Sequence, residues 1–180
     1  MKKLMILAIA LMAPVLATAA EDRANLNDAQ VAAIVVAANQ IDIDAGKLAE
    51  SKSPNPEVKA FAHRMVAEHT DVNKQATDLA TKLKMTPEEN TISRALKSDA
   101  KRNMDRLRKL SGKDFDNLYV SDEVAFHKQV LDTLDTKLLP NAKNEELKAL
   151  LVKVRPAIAS HLEHAEKLLS IVHEMNYKDK

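Results

Sequence analysis

Apolar residues recur three and four positions apart along most of this chain after residue 27. Such spacing places side chains on one face of an α-helix, and no segment shows the apolar-polar alternation that is typical of a β-strand. The clearest stripe carries Phe61, Met65, His69 and Val72. The pattern therefore predicts an all-α protein.

Residues that favour helix ends divide this pattern into separate helices. Asn27 with Gln30 predicts a capping box at the start of the first helix, and the Asn55–Pro56 pair predicts the start of the second. The segment Thr86–Glu89 combines a capping box with a proline, and it predicts a shorter, more charged third helix that runs to about Leu110.

Two further helices complete the pattern. Gly112 is expected to end the third helix, and Asp114 is expected to cap a fourth helix that extends to just before Pro140. The last helix spans about residues 144–175 and contains Pro156, which should bend it. Long amphipathic helices joined by short loops predict an antiparallel four-helix bundle with one extra, shorter crossover helix.

The first twenty residues have the features of an export signal. Two lysines precede an apolar run over residues 4–16, and Ala17 to Ala20 supplies a small-residue cleavage pattern. The run is shorter than the roughly 20 residues that span a bilayer, and no later segment approaches that length of apolar sequence. We therefore expect residues 1–20 to be a signal peptide, cleaved after Ala19 or Ala20, and the protein to be periplasmic.

The composition mainly excludes certain classes of function and of binding site. The chain has 27 Lys+Arg, 26 Asp+Glu, no Cys and two Gly among 180 residues. A net charge of +1 with 3% aromatic residues argues against nucleic-acid binding, and the lack of cysteine excludes disulfides and thiolate metal sites. The chain also lacks a serine flanked by glycines, the pattern that would predict a hydrolase nucleophile. Residues 21–180 are expected to form one helical bundle domain.

Three segments carry a resemblance to a known family: Pro56-Glu57-Val58-Lys59-Ala60-Phe61-Ala62, Met65-Val66-Ala67-Glu68-His69, and the stretch from Pro156 to His161. They resemble the exported bacterial domain-of-unknown-function 4142 family over essentially the whole mature chain. The segment from Asp42 to Ala49 is similar to that family's first helix, where Glu is more usual than Asp. The resemblance implies a ferritin-like helical bundle and an exported location, but no established activity.

Three histidines lie on the apolar stripes of three different predicted helices. Acidic groups or further histidines lie beside them at spacings that share a helix face, and the first helix adds a carboxylate. Imidazole and carboxylate groups that project into a bundle core can bind zinc, iron or copper. The candidate metal ligands are His69, His127, His161, His164, Glu68, Glu123 and Asp42.

The same pattern also fits a purely structural role, because buried histidines are commonly hydrogen-bonded core residues. A ferritin-type di-iron site needs Glu-x-x-His on two helices, and neither the Glu68 nor the His161 segment has that motif intact. Folding the helices about their turns places Asp42 about 6 Å along the axis from His69, and His127 about one turn from His161. The sequence thus predicts at most a mononuclear site that uses some of these groups.

Two functional hypotheses follow. The first is an exported bundle with a non-enzymatic binding, accessory or stress-protective role. The second is metal binding by core histidines and carboxylates, with a divalent transition metal as the cofactor. The basic stretch from Lys97 to Lys109 is either a solvated face or a contact for an anionic envelope or cell-wall partner. An enzyme is the less favoured interpretation, and the oligomeric state is left open.

Overall fold

The computed structural model of the protein describes residues 25–178, with side chains described up to Glu174. The signal-peptide prediction for residues 1–20 lies outside the described residues. Within residues 25–178 the regular structure is entirely helical, without a strand. The all-α prediction is therefore confirmed.

Long helices account for most of the described chain. In chain order they are α1 (Asp28–Lys52), α2 (Pro56–Lys82), α3 (Thr91–Leu107), α4 (Gly112–Thr133), the single turn α5 (Leu139–Asn141) and α6 (Glu145–Lys178). A π-helical segment, Leu134–Leu138, joins α4 to α5. None of the helices over the described residues is both long and apolar enough to cross a membrane.

The first two helices begin where their capping residues predict. The Asn27 side chain accepts a hydrogen bond from the Gln30 amide, while the Gln30 side chain accepts one from the Asn27 amide. At α2 the Asn55 side chain accepts from the amides of the second and third helical residues, behind Pro56. These bonds satisfy amide groups that have no partner within the helix.

The third helix begins later than predicted, because a long-range contact overrides the local capping pattern. Asn90, rather than Thr86, caps α3 by accepting from the amides of Ile92 and Ser93. The Glu88 amide instead donates to the Ala29 carbonyl at 3.0 Å. This bond holds the connection against the start of α1 and keeps it out of the helix.

The predicted boundary between the third and fourth helices is also wrong. Gly112 does adopt a left-handed conformation, with φ of 57°, as expected of a glycine at a helix end. It is however the first residue of α4, with Ser111 at the N-cap position. Asp114 therefore does not cap the helix but lies in its first turn, where a carboxylate interacts favourably with the helix dipole.

The four long helices α1, α2, α4 and α6 form an antiparallel bundle of the ferritin-like kind. Helix α1 packs along α2, and α4 packs along α6, each pair joined by a connection of three residues or one short turn. Helix α3 crosses between the two pairs and packs on α1 and α4. This arrangement confirms the bundle with one extra, shorter crossover helix.

The core is divided into two apolar parts by a layer of polar residues. The aliphatic half-core includes Val31, Ile34, Leu134, Leu151 and Ile158. The aromatic half-core includes Phe61, Met65, Phe115, Tyr119 and Leu168. Along every long helix the polar belt lies between them, and it consists of Asn39, Asp42, His69, Glu123, His127 and His161, all buried.

Pro156 lies inside α6, as predicted. It cannot donate a hydrogen bond to the carbonyl of Val152, one turn earlier. Both residues are exposed, so water can reach the carbonyl that the proline leaves unpaired. Whether the helix bends at this point remains a prediction.

Candidate metal centre

A cluster of three imidazoles and one carboxylate occupies the middle of the polar belt. His69 on α2, His127 on α4 and His161 on α6 are 7%, 1% and 2% exposed, and Asp42 on α1 is 1% exposed. One ring nitrogen from each histidine lies within 4.8 Å of the other two. Each of the four long helices thus contributes one side chain to the cluster.

Asp42 lies closer to the histidines than the sequence predicts. Its Oδ2 is 3.1 Å from His69 Nε2 and 3.4 Å from His127 Nε2. Tetrahedral ligands with bonds of about 2.0–2.1 Å to one ion are about 3.3 Å apart, so these atoms have the spacing of metal ligands. The predicted axial offset of about 6 Å between the two residues does not keep these atoms apart, because side chains lean towards the start of their own helix, and in antiparallel helices they converge.

His127 and His161 also meet, against the prediction that they lie a turn apart. Their ring centroids are 5.4 Å from each other. The helical path of α4 continues through the π-helical segment and α5, so the chain reverses over residues 142–144 rather than at Asn141. This later reversal shifts α6 along α4 and brings the two rings to the same level.

Hydrogen bonds determine which ring nitrogens of His69 and His127 carry hydrogen. The Asn39 amide nitrogen donates to the Val35 carbonyl at 2.9 Å, so the Asn39 Oδ1 accepts from His69 Nδ1–H at 2.8 Å. The carbonyl of Glu123 accepts from His127 Nδ1–H at 3.0 Å. In both rings Nε2 therefore carries the lone pair, and in both it faces Asp42.

His161 is held in the complementary orientation. Its Nε2–H donates to Glu68 Oε2 at 2.6 Å, and Arg64 donates to the other oxygen of the same carboxylate at 2.7 Å. Partial burial raises the pKa of Glu68, but hydrogen bonds from Arg64 and His161 outweigh burial and lower it. His161 Nδ1 is buried without a hydrogen-bond partner in the described part of the chain. All three rings thus combine one anchored N–H with one free nitrogen, as metal-binding histidines do.

Burial keeps the cluster in its neutral forms. Desolvation raises the pKa of Asp42 to about 8, and it lowers the pKa of His69 to about 3 and that of His127 to about 4. Burial lowers the pKa of His161 as well. At neutral pH the histidines therefore keep their lone pairs, and Asp42 holds a proton that it can donate to a neighbouring Nε2.

Two of the remaining candidate ligands, Glu68 and His164, lie outside the cluster, and the third, Glu123, forms an adjoining buried group with Asp42 and His127. Glu68 binds the far side of His161, and its side chain is 42% exposed. The Glu123 carboxylate is buried 3.5 Å from His127 Nδ1, beside Tyr119 and Asp42, and burial raises its pKa. His164 is not brought to the centre, because its ring packs on Phe61 and its Nδ1 lies 3.4 Å from Arg64.

Two residues that orient the ligands are absent from the sequence-based candidates. Asn39 fixes the orientation of His69, and its only signal is the three-residue spacing to Asp42, which puts both on one face of α1. Arg64 holds Glu68 in place, and its only signal is the i,i+4 spacing of the two charges on α2.

Two cavities adjoin the cluster. The apolar cavity, of about 80 Å³, lies within the aliphatic half-core and reaches all three histidines. The acidic cleft, of about 260 Å³, lies between α1, α3 and α4. Buried oxygen atoms of Asp42 and Asp122 line the cleft, beside Glu123 and Tyr119, whose side chains hydrogen-bond each other.

Fold and site together define an all-α bundle protein with a buried histidine–carboxylate cluster. The chain belongs to the family described as Domain of unknown function (DUF4142), whose sequence model matches residues 13–168. This match confirms the family resemblance. No curated protein and no solved protein structure matches the chain. The family description gives no activity, so the function has to be argued from the site.

Proposed function

We propose that this protein binds one divalent transition-metal ion with His69, His127, His161 and Asp42 as ligands. The observation that carries the proposal is the convergence of three buried lone-pair nitrogens, with the Asp42 carboxyl group against two of them; within the described residues only the Asp42 proton is available to pair with these nitrogens. Buried polar atoms are normally paired, because an unpaired one loses its hydration without compensation. A metal ion would pair all four groups at once.

The donor set favours a particular class of ion. Three imidazole nitrogens and one carboxylate oxygen suit zinc, iron or copper, whereas magnesium and calcium prefer oxygen ligands. Two positive charges entering the core would be balanced by Asp42 and Glu123 after each loses its proton, whereas the charge of Glu68 is already paired with Arg64. The Glu68 carboxylate behind His161 also makes that ring a stronger ligand.

The acidic cleft offers a route by which the ion reaches the core. Asp122 lines the cleft together with the buried Asp42, while Asp99 in the same lining is paired with Arg102. Carboxylates along a cleft attract cations and raise their local concentration. The ion would enter between α1, α3 and α4 and displace the Asp42 proton on binding.

We further propose that the protein works in the periplasm as a metal-binding accessory protein rather than as a hydrolase. The support for export is the leader pattern over residues 1–20. On the basic stretch of α3, two exposed side chains pair with acidic residues of the same helix, as on a solvated face. Lys101 pairs with Asp105, and Arg102 pairs with Asp99.

The metal proposal is tested on protein purified without a histidine tag. We expect isothermal titration to give one site for Zn²⁺, and cobalt(II) to give visible absorption bands typical of four- or five-coordination. His69→Ala, His127→Ala and His161→Ala should each weaken binding by at least about 100-fold, because each leaves the ion without a ligand.

His63→Ala is the matched control for His69→Ala, since both histidines lie on α2 but His63 is exposed. It should bind zinc like the parent protein. Circular dichroism melting of the metal-free variants separates loss of a ligand from loss of the fold. If His69→Ala and His63→Ala bind zinc equally well while both are folded, the proposal is wrong.

A further inference from the structure

The apolar cavity is unusual in its position. Side chains of α1, α2, α3, α4 and α6 line it, so it lies in the middle of the bundle rather than on one surface. Protein interiors are close-packed, and voids larger than a water molecule are few. At about 80 Å³ this one exceeds the roughly 30 Å³ that a water molecule occupies in the liquid.

The lining determines what the cavity can hold. Its walls are almost entirely apolar carbon, contributed by residues such as Ile34, Leu134, Leu151 and Ile158. Water needs two to four polar partners to occupy such a space, and apolar cavities without them stay dry and accept apolar molecules. A dry cavity of about 150 Å³ holds benzene or xenon, so one of about half that volume suits xenon or a diatomic molecule.

The only strongly polar part of the lining is the end formed by His69, His127 and His161, with Glu68 and Asn39 beside them. We propose that this cavity is a binding site for one small, neutral, apolar molecule of the size of dioxygen, held against the three imidazole rings. Binding in the cavity depends only on its shape and lining. That the bound molecule lies at an open position of a metal ion rests on the proposed function.

Xenon is the probe, because it is apolar, fits the volume and needs no metal. The protein, labelled at the methyl groups of Ile, Leu and Val, is titrated with dissolved xenon and followed by NMR, once metal-free and once with zinc. We expect saturable shifts of the methyl signals of Ile34, Leu134 and Leu151 in both forms. The shifts of residues in the aromatic half-core, such as Leu168, should be small and not saturable.

Ala157→Leu fills the cavity, because Ala157 lines it from α6. Ala149→Leu adds the same atoms to an exposed position of the same helix and is the matched control. Ala157→Leu should weaken xenon binding at least tenfold, and Ala149→Leu should leave it unchanged. If Ala157→Leu does not fold, Ala38→Leu fills the cavity from α1 instead.

The absence of saturable xenon shifts in the parent protein would overturn the proposal. So would equal xenon affinity in the folded Ala157→Leu and Ala149→Leu variants. Because xenon is tested without metal and zinc without xenon, the two proposals fail separately. Xenon binding without zinc binding leaves the cavity site standing, and zinc binding without xenon binding leaves only the metal centre.

Discussion

The two half-cores of the bundle are packed in different ways. The aromatic half-core buries Phe61, Phe115 and Tyr119 completely, with Phe115 and Tyr119 stacked at 6.2 Å between ring centroids. The aliphatic half-core lacks such buried rings among the described residues, and it encloses the apolar cavity. The aromatic half-core therefore fills its interior with rings and borders the acidic cleft at Tyr119, while the aliphatic half-core gives up packing next to the histidines.

The difference indicates that the aliphatic half-core bears the loss of packing energy next to the site. A void removes van der Waals contacts from the side chains that line it, and its cost grows with its volume. The polar belt must also bury titratable groups, which is unfavourable without partners. We expect the buried rings of the aromatic half-core, together with the close approach of α1 to α2 at Gly46, to offset both costs.

The comparison is sharpest when the same substitution is made in each half. Leu168 and Leu151 both lie on α6, and both are buried, but Leu151 lines the apolar cavity. We expect Leu168→Ala to lower the free energy of unfolding by about 4 kcal/mol and Leu151→Ala by about 2–3 kcal/mol, because Leu151 has fewer packing contacts to lose. Urea unfolding followed by circular dichroism measures both. Equal losses would show that the two halves are packed alike.

The polar belt between the halves should make the metal-free protein less stable as the pH rises from 6.5 to 8. Asp42, which faces His69, His127, Glu123 and Tyr119, keeps its proton up to about pH 8 when folded but loses it near pH 3.8 when unfolded. The folded state then binds more protons, so stability falls by about 1.4 kcal/mol per pH unit, or about 2 kcal/mol over this range. Glu123, with its raised pKa, acts in the same direction.

The buried histidines oppose this fall by a smaller amount. Their lowered pKa values make stability rise with pH until the unfolded histidines are neutral, and above pH 6.5 this adds about 0.4 kcal/mol for each histidine. Asp42→Asn should remove the Asp42 share of the decline and abolish zinc binding, while Asp44→Asn, at an exposed position of α1, should change neither. Chemical denaturation at a series of pH values measures the effect. A parent protein whose stability is constant from pH 6.5 to 8 would contradict the raised pKa of Asp42.

The smallest changes in stability are expected for substitutions that add atoms to the interior of the bundle. A methyl group at Gly46 would lie 2.8 Å from Val66 Cγ2 and 3.1 Å from the Ala62 carbonyl oxygen. We expect Gly46→Ala to cost about 1 kcal/mol of stability despite the better helix propensity of alanine, because α1 and α2 cannot separate without loosening the aromatic half-core.

Ala157→Leu adds more atoms but places them in the apolar cavity, and it should stabilise the metal-free protein by about 0.5–1 kcal/mol. Thermal melting of the two variants beside the parent gives both values. A stabilising Gly46→Ala together with a destabilising Ala157→Leu would reverse the comparison between the two halves.

The sequence by itself determined the helices whose ends depend on neighbouring residues. Asn27 and Asn55 cap α1 and α2 through bonds to residues two or three positions away, so the pattern alone locates both starts. The apolar periodicity likewise determines that His69, His127 and His161 are buried, because a helix has one period and one apolar face. Burial of a histidine follows from its position on its own helix.

Only the tertiary structure decided which of these side chains meet. The start of α3 depends on the bond from Glu88 to Ala29, which joins segments far apart in sequence. The contacts between Asp42 and the histidines depend on where the chain reverses and on the lean of side chains in opposed helices. The position of a side chain along the bundle axis depends on the lengths of the helices and of the connections between them. A shift of one residue moves a side chain by about 1.5 Å along the axis, enough to join or separate two ligands.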